Sequence, residues 1–149
     1  MLPRRILVAT DGSGPAKAAE SFAAAIANAV GAGEVVVATV VRHRDIPTVR
    51  GQIEEPIPAE EIEAAQAVLS AAVDRVRGAI TSEEVSVRPR LIEAHSPAVG
   101  VIEAAHEGGE CSLIVLGNRG LGGLASLVMG SVSTQVLHGA HCPVVVVKA

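Results

Sequence analysis

The chain has 149 residues, 49% hydrophobic and 19% charged, with a net charge of −4 and a pI near 5.7. This suggests a single domain over residues 1–149 and excludes a disordered chain. There is no basic patch, and Phe22 is the only aromatic residue, so nucleic acid is not expected as a partner. No apolar run reaches the roughly 18 residues of a membrane span, so no membrane partner is expected either. "MLPRRILVATDG" does not read as a secretory signal. Cys111 and Cys142 are far apart and form no disulfide framework. A cytoplasmic setting is therefore expected.

In chain order, "RRILVATDGS" places a buried strand over Ile6 to Thr10, ended by Asp-Gly. Pro15 suits the first turn of a helix, in which Ala18, Phe22, Ala25, Ile26 and Ala29 share a face. "GAG" stops it. Glu34 to Val41 is a second strand, apolar nearly throughout, as in parallel strands covered on both faces. Residues 42–57 are polar and broken by proline and read as a mobile loop. In the next helix Ile62, Ala65, Leu69, Ala72, Val73 and Val76 keep helical spacing, and Glu60, Glu61 and Glu63 lie in the first turns as a solvated start.

"EVSVRPRLIEA" is a third strand with Val85 and Val87 alternating, and Pro89 places it at a sheet edge. A short helix follows, with Ser96 as N-cap and Pro97 in its first turn, ended by Gly108-Gly109. "CSLIVLG" is a fourth strand. After a glycine-rich stretch come a helix from about Ser131 to His138 and "PVVVVKA" as a fifth strand. Strands alternating with helices predict an α/β fold: an open five-stranded parallel sheet with helices on both faces. Such sheets bind ligands beyond the carboxyl ends of their strands, where strand order reverses.

The stretch "GNRGLGGLASLVMGS" holds five glycines in 15 residues between the fourth strand and a helix. The first amides of a helix lack internal partners and carry partial positive charge, which suits a phosphate. Gly117 and Gly120 are read as turning the main chain sharply beside a ligand, and Gly130 as admitting close backbone approach. Ser131 is placed to donate a hydroxyl to a phosphate oxygen, with Ser133 and Thr134 in the same turn. The alternative is a loop whose glycines only turn the chain. No Walker lysine is present.

The segment resembles the G-x2-G-x9-G-[S/T] pattern of the universal stress protein family: Gly117, Gly120, nine residues from Leu121 to Met129, then Gly130-Ser131. "ILVATDGS" near the start and "HCPVVVVK" near the end are similar to that family too. The resemblance runs over essentially the whole chain. It implies a Rossmann-like fold of the adenine nucleotide alpha hydrolase type that belongs to the family's ATP-binding branch. It also implies Asp11 near the nucleotide and its metal, flanked by Thr10 and Gly12, and Val40 contacting adenine through its main chain. The expected nucleotide contacts are thus Thr10, Asp11, Gly12, Val40, Gly117, Arg119, Gly120, Gly130, Ser131, Val132 and Ser133. One carboxylate with phosphates and water suits Mg²⁺ or Mn²⁺. Asp11 also has a structural reading, as a cap or turn residue, and Arg119 either counters phosphate or is solvated. "EAHSPA" lacks a glycine common in the family before the third helix, and Cys111-Ser112 replace an acid common before the fourth strand.

"HGAHC" (His138, His141, Cys142) matches no common zinc set. The histidines are read as helix-terminal and Cys142 as a small buried hydrophobe. His95 and His106 are read as isolated surface residues, and His43 as a residue of the mobile loop, with reach to a nucleotide as the less favoured alternative. Val144, Val145, Val146 and Val147 would leave a bare edge if the strand is terminal. A second copy would cover it, and the resemblance implies such a homodimer; the alternative is an internal or loop-covered strand. The expected function is an ATP-binding, nucleotide-responsive regulator of the stress response, with an unidentified regulatory protein partner and little or no turnover. The alternatives are a slow ATPase or phosphotransferase on the same fold, or a nucleotide-free interaction module. A phospho-receiver is disfavoured because "VATDGS" offers one acid.

Overall fold

A computed structural model describes residues 2–107, 112–118 and 130–148. The elements are β1 (Arg5–Ala9), α1 (Gly14–Val30), β2 (Glu34–Arg42), β3 (Arg44–Thr48), β4 (Gly51–Glu55), α2 (Ala59–Ala79), β5 (Ser86–Ala94), α3 (Pro97–His106), β6 (Leu113–Gly117), α4 (Ser131–Gly139) and β7 (Val144–Val147). Five strands form one parallel sheet in the order β5-β2-β1-β6-β7. The order reverses between β1 and β6: the chain builds outward from β1 through β2 to β5, then returns to β1's other side. β5, which carries Pro89, lies at one edge as expected, and β7 at the other.

The alternation of side chains along each strand sorts the core into two layers. Ile6, Val8, Val35, Val37 and Val115 meet α1 and α2, whereas Leu7, Val36, Ala38, Ile114 and Leu116 meet α3 and α4. Both sets are buried, and this is why β1, β2 and β6 read as unbroken apolar runs.

The helix ends follow local chemistry. Ser13 caps α1, its side chain accepting from the Ala16 N–H at 3.3 Å, and Gly31 closes the helix in the left-handed conformation. Ser96 caps α3 through the Val99 N–H, with Pro97 in the first turn. The expected stop at Gly108-Gly109 lies outside the described residues; α3 ends at His106.

Two expectations are corrected here. The buried face of α1 is Ala16, Ala19, Glu20, Ala23, Ala24 and Ala27, not the stripe through Ala18, Phe22, Ala25, Ile26 and Ala29. Phe22 is exposed. The helix is alanine-rich on several sides, so apolar periodicity does not single out one face. Packing does: alanines let the helix axis approach the sheet closely, and the larger Phe22 and Ile26 are left to the margin. Residues 42–57 are also more than a mobile loop, since β3 and β4 pair as an antiparallel hairpin from Arg44↔Glu55 to Thr48↔Gly51. Its strands carry few apolar residues, so no period-two pattern marks them. Arg44 is joined to Glu61 at the start of α2 by an ion pair of 2.6 Å.

Candidate functional site

A cleft of ≈ 580 Å³, measured out to its open mouth, lies at the carboxyl ends of β1, β2 and β6. It is lined by Ala9, Thr10, Asp11, Ala38, Val40, Leu116 and Gly117 from the strands and the loops after them. Ala16 of α1, Pro97 and Val101 of α3, and Val132 and Ser133 of α4 complete it. It therefore sits at the reversal of strand order, where neighbouring connections leave to opposite faces of the sheet and open a crevice.

Thr10 is nearly fully buried and all its polar groups are engaged. Its N–H donates to the Ala38 carbonyl at 2.8 Å, its carbonyl accepts from Thr39 Oγ1 at 3.0 Å, and its hydroxyl donates to Glu20 Oε2 at 3.1 Å. The same hydroxyl accepts the Gly12 N–H at 3.2 Å. Gly12 has φ +79°, a conformation that costs a residue with a side chain about 1–2 kcal/mol. Asp11 performs the structural role considered for it: Oδ1 accepts the Ser13 N–H at 2.9 Å, an Asx turn leading into α1. Its other oxygen, Oδ2, is buried and has no hydrogen-bond partner among the described residues. An unsatisfied buried acceptor costs roughly 1–3 kcal/mol, more when charged. A group from outside the chain that brings a proton or a cation would relieve this.

Gly117 has a different role from the one expected. It is the last residue of β6, paired with Val147, and makes no left-handed turn. A Cβ there would lie 2.7 Å from the carbonyl carbon and oxygen of Pro15. Glycine is needed so that the first turn of α1 can cross the end of β6. Gly130 is the N-cap of α4, with φ −64° and ψ 160°, and has no side chain with which to cap the amides that follow. Ser131 is exposed at the helix start, Val132 is half-buried in the cleft wall, and Ser133 is buried. The Ser133 hydroxyl donates to the Gly117 carbonyl at 2.8 Å, and Thr134 Oγ1 donates to the Gly130 carbonyl at 3.1 Å. Both hydroxyl protons are thus committed inside the protein, contrary to the role expected of them toward phosphate. Val40, toward the end of β2, lines the cleft. Arg119 and Gly120 lie outside the described residues.

Sequence reasoning missed the apolar walls from Ala38, Val101 and Leu116, and it missed Glu20. The walls carry no local signal, because any core residue reads alike. Glu20 does carry one: it is a lone charge four residues after Ala16 and three before Ala23 on what proves to be the buried stripe.

The histidines are not isolated. The rings of His43 and His95 meet with centroids 5.2 Å apart at a tilt of 35°, and those of His106 and His141 at the same separation with a tilt of 55°. His95 Nδ1 lies 3.7 Å from Asp45, and His43 Nε2 lies 3.9 Å from Glu93. His138 occupies the last turn of α4, and Cys142 is partly buried against the α3–α4 core. Cys111 lies outside the described residues. Among the described residues, no group of three or more His, Cys, Asp or Glu is arranged to hold a metal ion. No described helix is long and apolar enough to cross a membrane.

Residues 3–148 match the model of the universal stress protein family. A universal stress protein of Thermus aquaticus is 36% identical over 147 residues, 97% of this chain and 98% of that protein. Among solved structures, a universal stress protein from Archaeoglobus fulgidus in complex with dAMP superposes with a TM-score of 0.72 at 26% identity, covering 99% of this chain and 100% of that one. A universal stress protein in complex with cAMP gives 0.71 at 26% identity, covering 99% and 98%. With its sheet order, its cleft at the reversal point and its match along nearly the whole length, the chain belongs to the universal stress protein family.

Proposed function

We propose that the cleft binds an adenine nucleotide, ATP together with Mg²⁺ or Mn²⁺, and that the protein is a nucleotide-responsive regulator with little or no turnover. The observation that carries this reading is the buried Oδ2 of Asp11, without a partner among the described residues, in a mainly apolar cleft. Ala9, Ala38, Val40 and Leu116 offer a surface suited to a planar base. Gly130, Ser131 and Val132 bring the uncapped start of α4 to the cleft rim, where a phosphate would meet N–H donors and the positive end of the helix dipole. The dAMP and cAMP bound by structural neighbours support an adenine nucleotide as the ligand class.

The donor set fits a magnesium-like ion, because Asp11 has one carboxylate oxygen to give and such ions take most remaining ligands from phosphates and water. When bound, the ion would neutralise phosphate charge. Asp11 is the only titratable residue lining the described cleft. Fast hydrolysis needs a base or a water-positioning group and further charge stabilisation, so slow turnover at most is expected.

We propose further that β7 pairs with its counterpart in a second copy. Its outer edge is terminal in the sheet, and all four valines are partly exposed. A cytoplasmic role in the stress response, through a protein partner yet to be identified, completes the reading.

Calorimetry with ATP, with and without Mg²⁺, tests the binding, and mass spectrometry of gently purified protein tests for a retained nucleotide. Saturable 1:1 binding per chain is the expected result. No heat with ATP, ADP or AMP, and no retained nucleotide, would overturn it.

A further inference from the structure

Beneath the cleft lies a charged pair that the nucleotide reading leaves unused. Glu20 is 2% exposed on the sheet side of α1. Arg75 of α2 reaches it with two donors, Nε to Oε1 at 2.9 Å and Nη2 to Oε2 at 3.0 Å. A buried carboxylate needs such a partner, and removing one member of a buried pair strands the other. Two well-packed helices would be served as well by an apolar pair, so the charge calls for a further reason.

The geometry points to Glu20 as a positioning residue for the loop that carries Asp11, an inference that rests on the nucleotide reading of the cleft. An ionised carboxylate only accepts, and Arg75 only donates. Glu20 Oε2 therefore receives the Thr10 hydroxyl proton at 3.1 Å, and this fixes the direction of the hydroxyl. A lone pair of Thr10 Oγ1 is thereby turned to the Gly12 N–H at 3.2 Å. Gly12 is held at φ +79°, one residue after Asp11, whose Oδ1 closes the next turn on the Ser13 N–H. The sequence of contacts is Arg75, Glu20, Thr10, Gly12, with Asp11 held between the last two. In Glu20→Gln the amide oxygen is expected at the Oε1 position, which lies 2.9 Å from Arg75 Nε and 2.8 Å from Nη2, so the NH₂ takes the Oε2 position and faces Thr10. The Thr10 proton loses its acceptor and the hydroxyl's orientation is released, while side-chain size is unchanged.

The test has two independent arms in the full chain. The first is amide exchange by NMR at Gly12 and Ser13, referenced to Val8 in the centre of β1. Glu20→Gln speeds exchange at the two loop amides by roughly tenfold relative to Val8. The second is ATP–Mg²⁺ affinity by calorimetry, which falls by roughly tenfold. In a double-mutant cycle with Thr10→Val, the combined variant is no worse than the more severe single one, because both break the same contact. If Glu20→Gln does not fold, Arg75→Met, on the partly exposed side of the pair, is expected to move both arms in the same direction. Unchanged loop exchange with a lowered Tm, or strictly additive losses in the cycle, would overturn the inference and leave the pair as a helix brace. Failure of the wild-type chain to bind ATP would overturn the nucleotide reading instead, and the exchange arm alone would then decide the role of Glu20.

Discussion

The N–H of Gly130 donates to the carbonyl of Asn118 at 2.7 Å, so residues on either side of segment 119–129 meet at one hydrogen bond. The Asn118 N–H in turn donates to the Val147 carbonyl at 2.8 Å, tying this stem to β7. The start of α4 is thereby set beside the end of β6, and the first turn of the helix stands at the cleft.

Gly130 has an ordinary extended φ and ψ, which any residue adopts. Gly130→Val should therefore fold, losing about 1 kcal/mol or less because valine is a poorer N-cap than glycine. A branched side chain at the rim should nevertheless weaken ATP binding by more than about tenfold. Thermal melts and calorimetry on the same sample separate the two effects. Unaltered affinity would show that the glycine stretch serves only to turn the chain.

Gly117→Ala should behave in the opposite way. Its Cβ would sit 2.7 Å from the Pro15 main chain, which cannot yield as a flexible side chain would. A loss of about 1–3 kcal/mol is expected, read as a lower denaturant midpoint, with nucleotide affinity reduced only as far as the start of α1 shifts.

Asp11→Asn keeps an oxygen to accept the Ser13 N–H and so should change stability by less than about 1 kcal/mol. The charge is lost, and with it the ligand proposed for the cation. The expected result is that Mg²⁺ no longer raises ATP affinity, measured as the difference between titrations with and without the ion. A full Mg²⁺ effect in the variant would remove Asp11 from the metal site.

Val146→Lys tests the proposed dimer. Val145 and Val147 pack on the α1–α2 side and Val144 on the α3–α4 side, so Val146 is the substitution least expected to disturb the core. A lysine on an edge strand opposes edge-to-edge pairing. Sedimentation at micromolar concentration should give a dimer for the wild type and a monomer for the variant; a wild-type monomer would sink the proposal.

Much of this was legible before folding was considered. Unbroken valine and isoleucine runs told of strands buried on both faces, and Pro15, Ser96 and Pro97 marked helix starts through chemistry confined to one turn. Pro89 signalled an edge because a missing donor is a local fact. The glycine stretch singled out Gly117 and Gly130, the family resemblance pointed to Asp11 and Val40, and the chain brings them to one end of the sheet. Other features depended on contacts between distant segments. Only packing against the sheet chose which alanines of α1 turn inward. Only the crossing of α1 over β6 explains Gly117. The β3–β4 hairpin, the histidine pairs and the Arg75–Glu20–Thr10 contacts join residues whose proximity no local pattern encodes. Periodicity and caps act within one turn or one pleat and so are written in sequence; a cleft wall or a buried ion pair exists only once separate elements have docked.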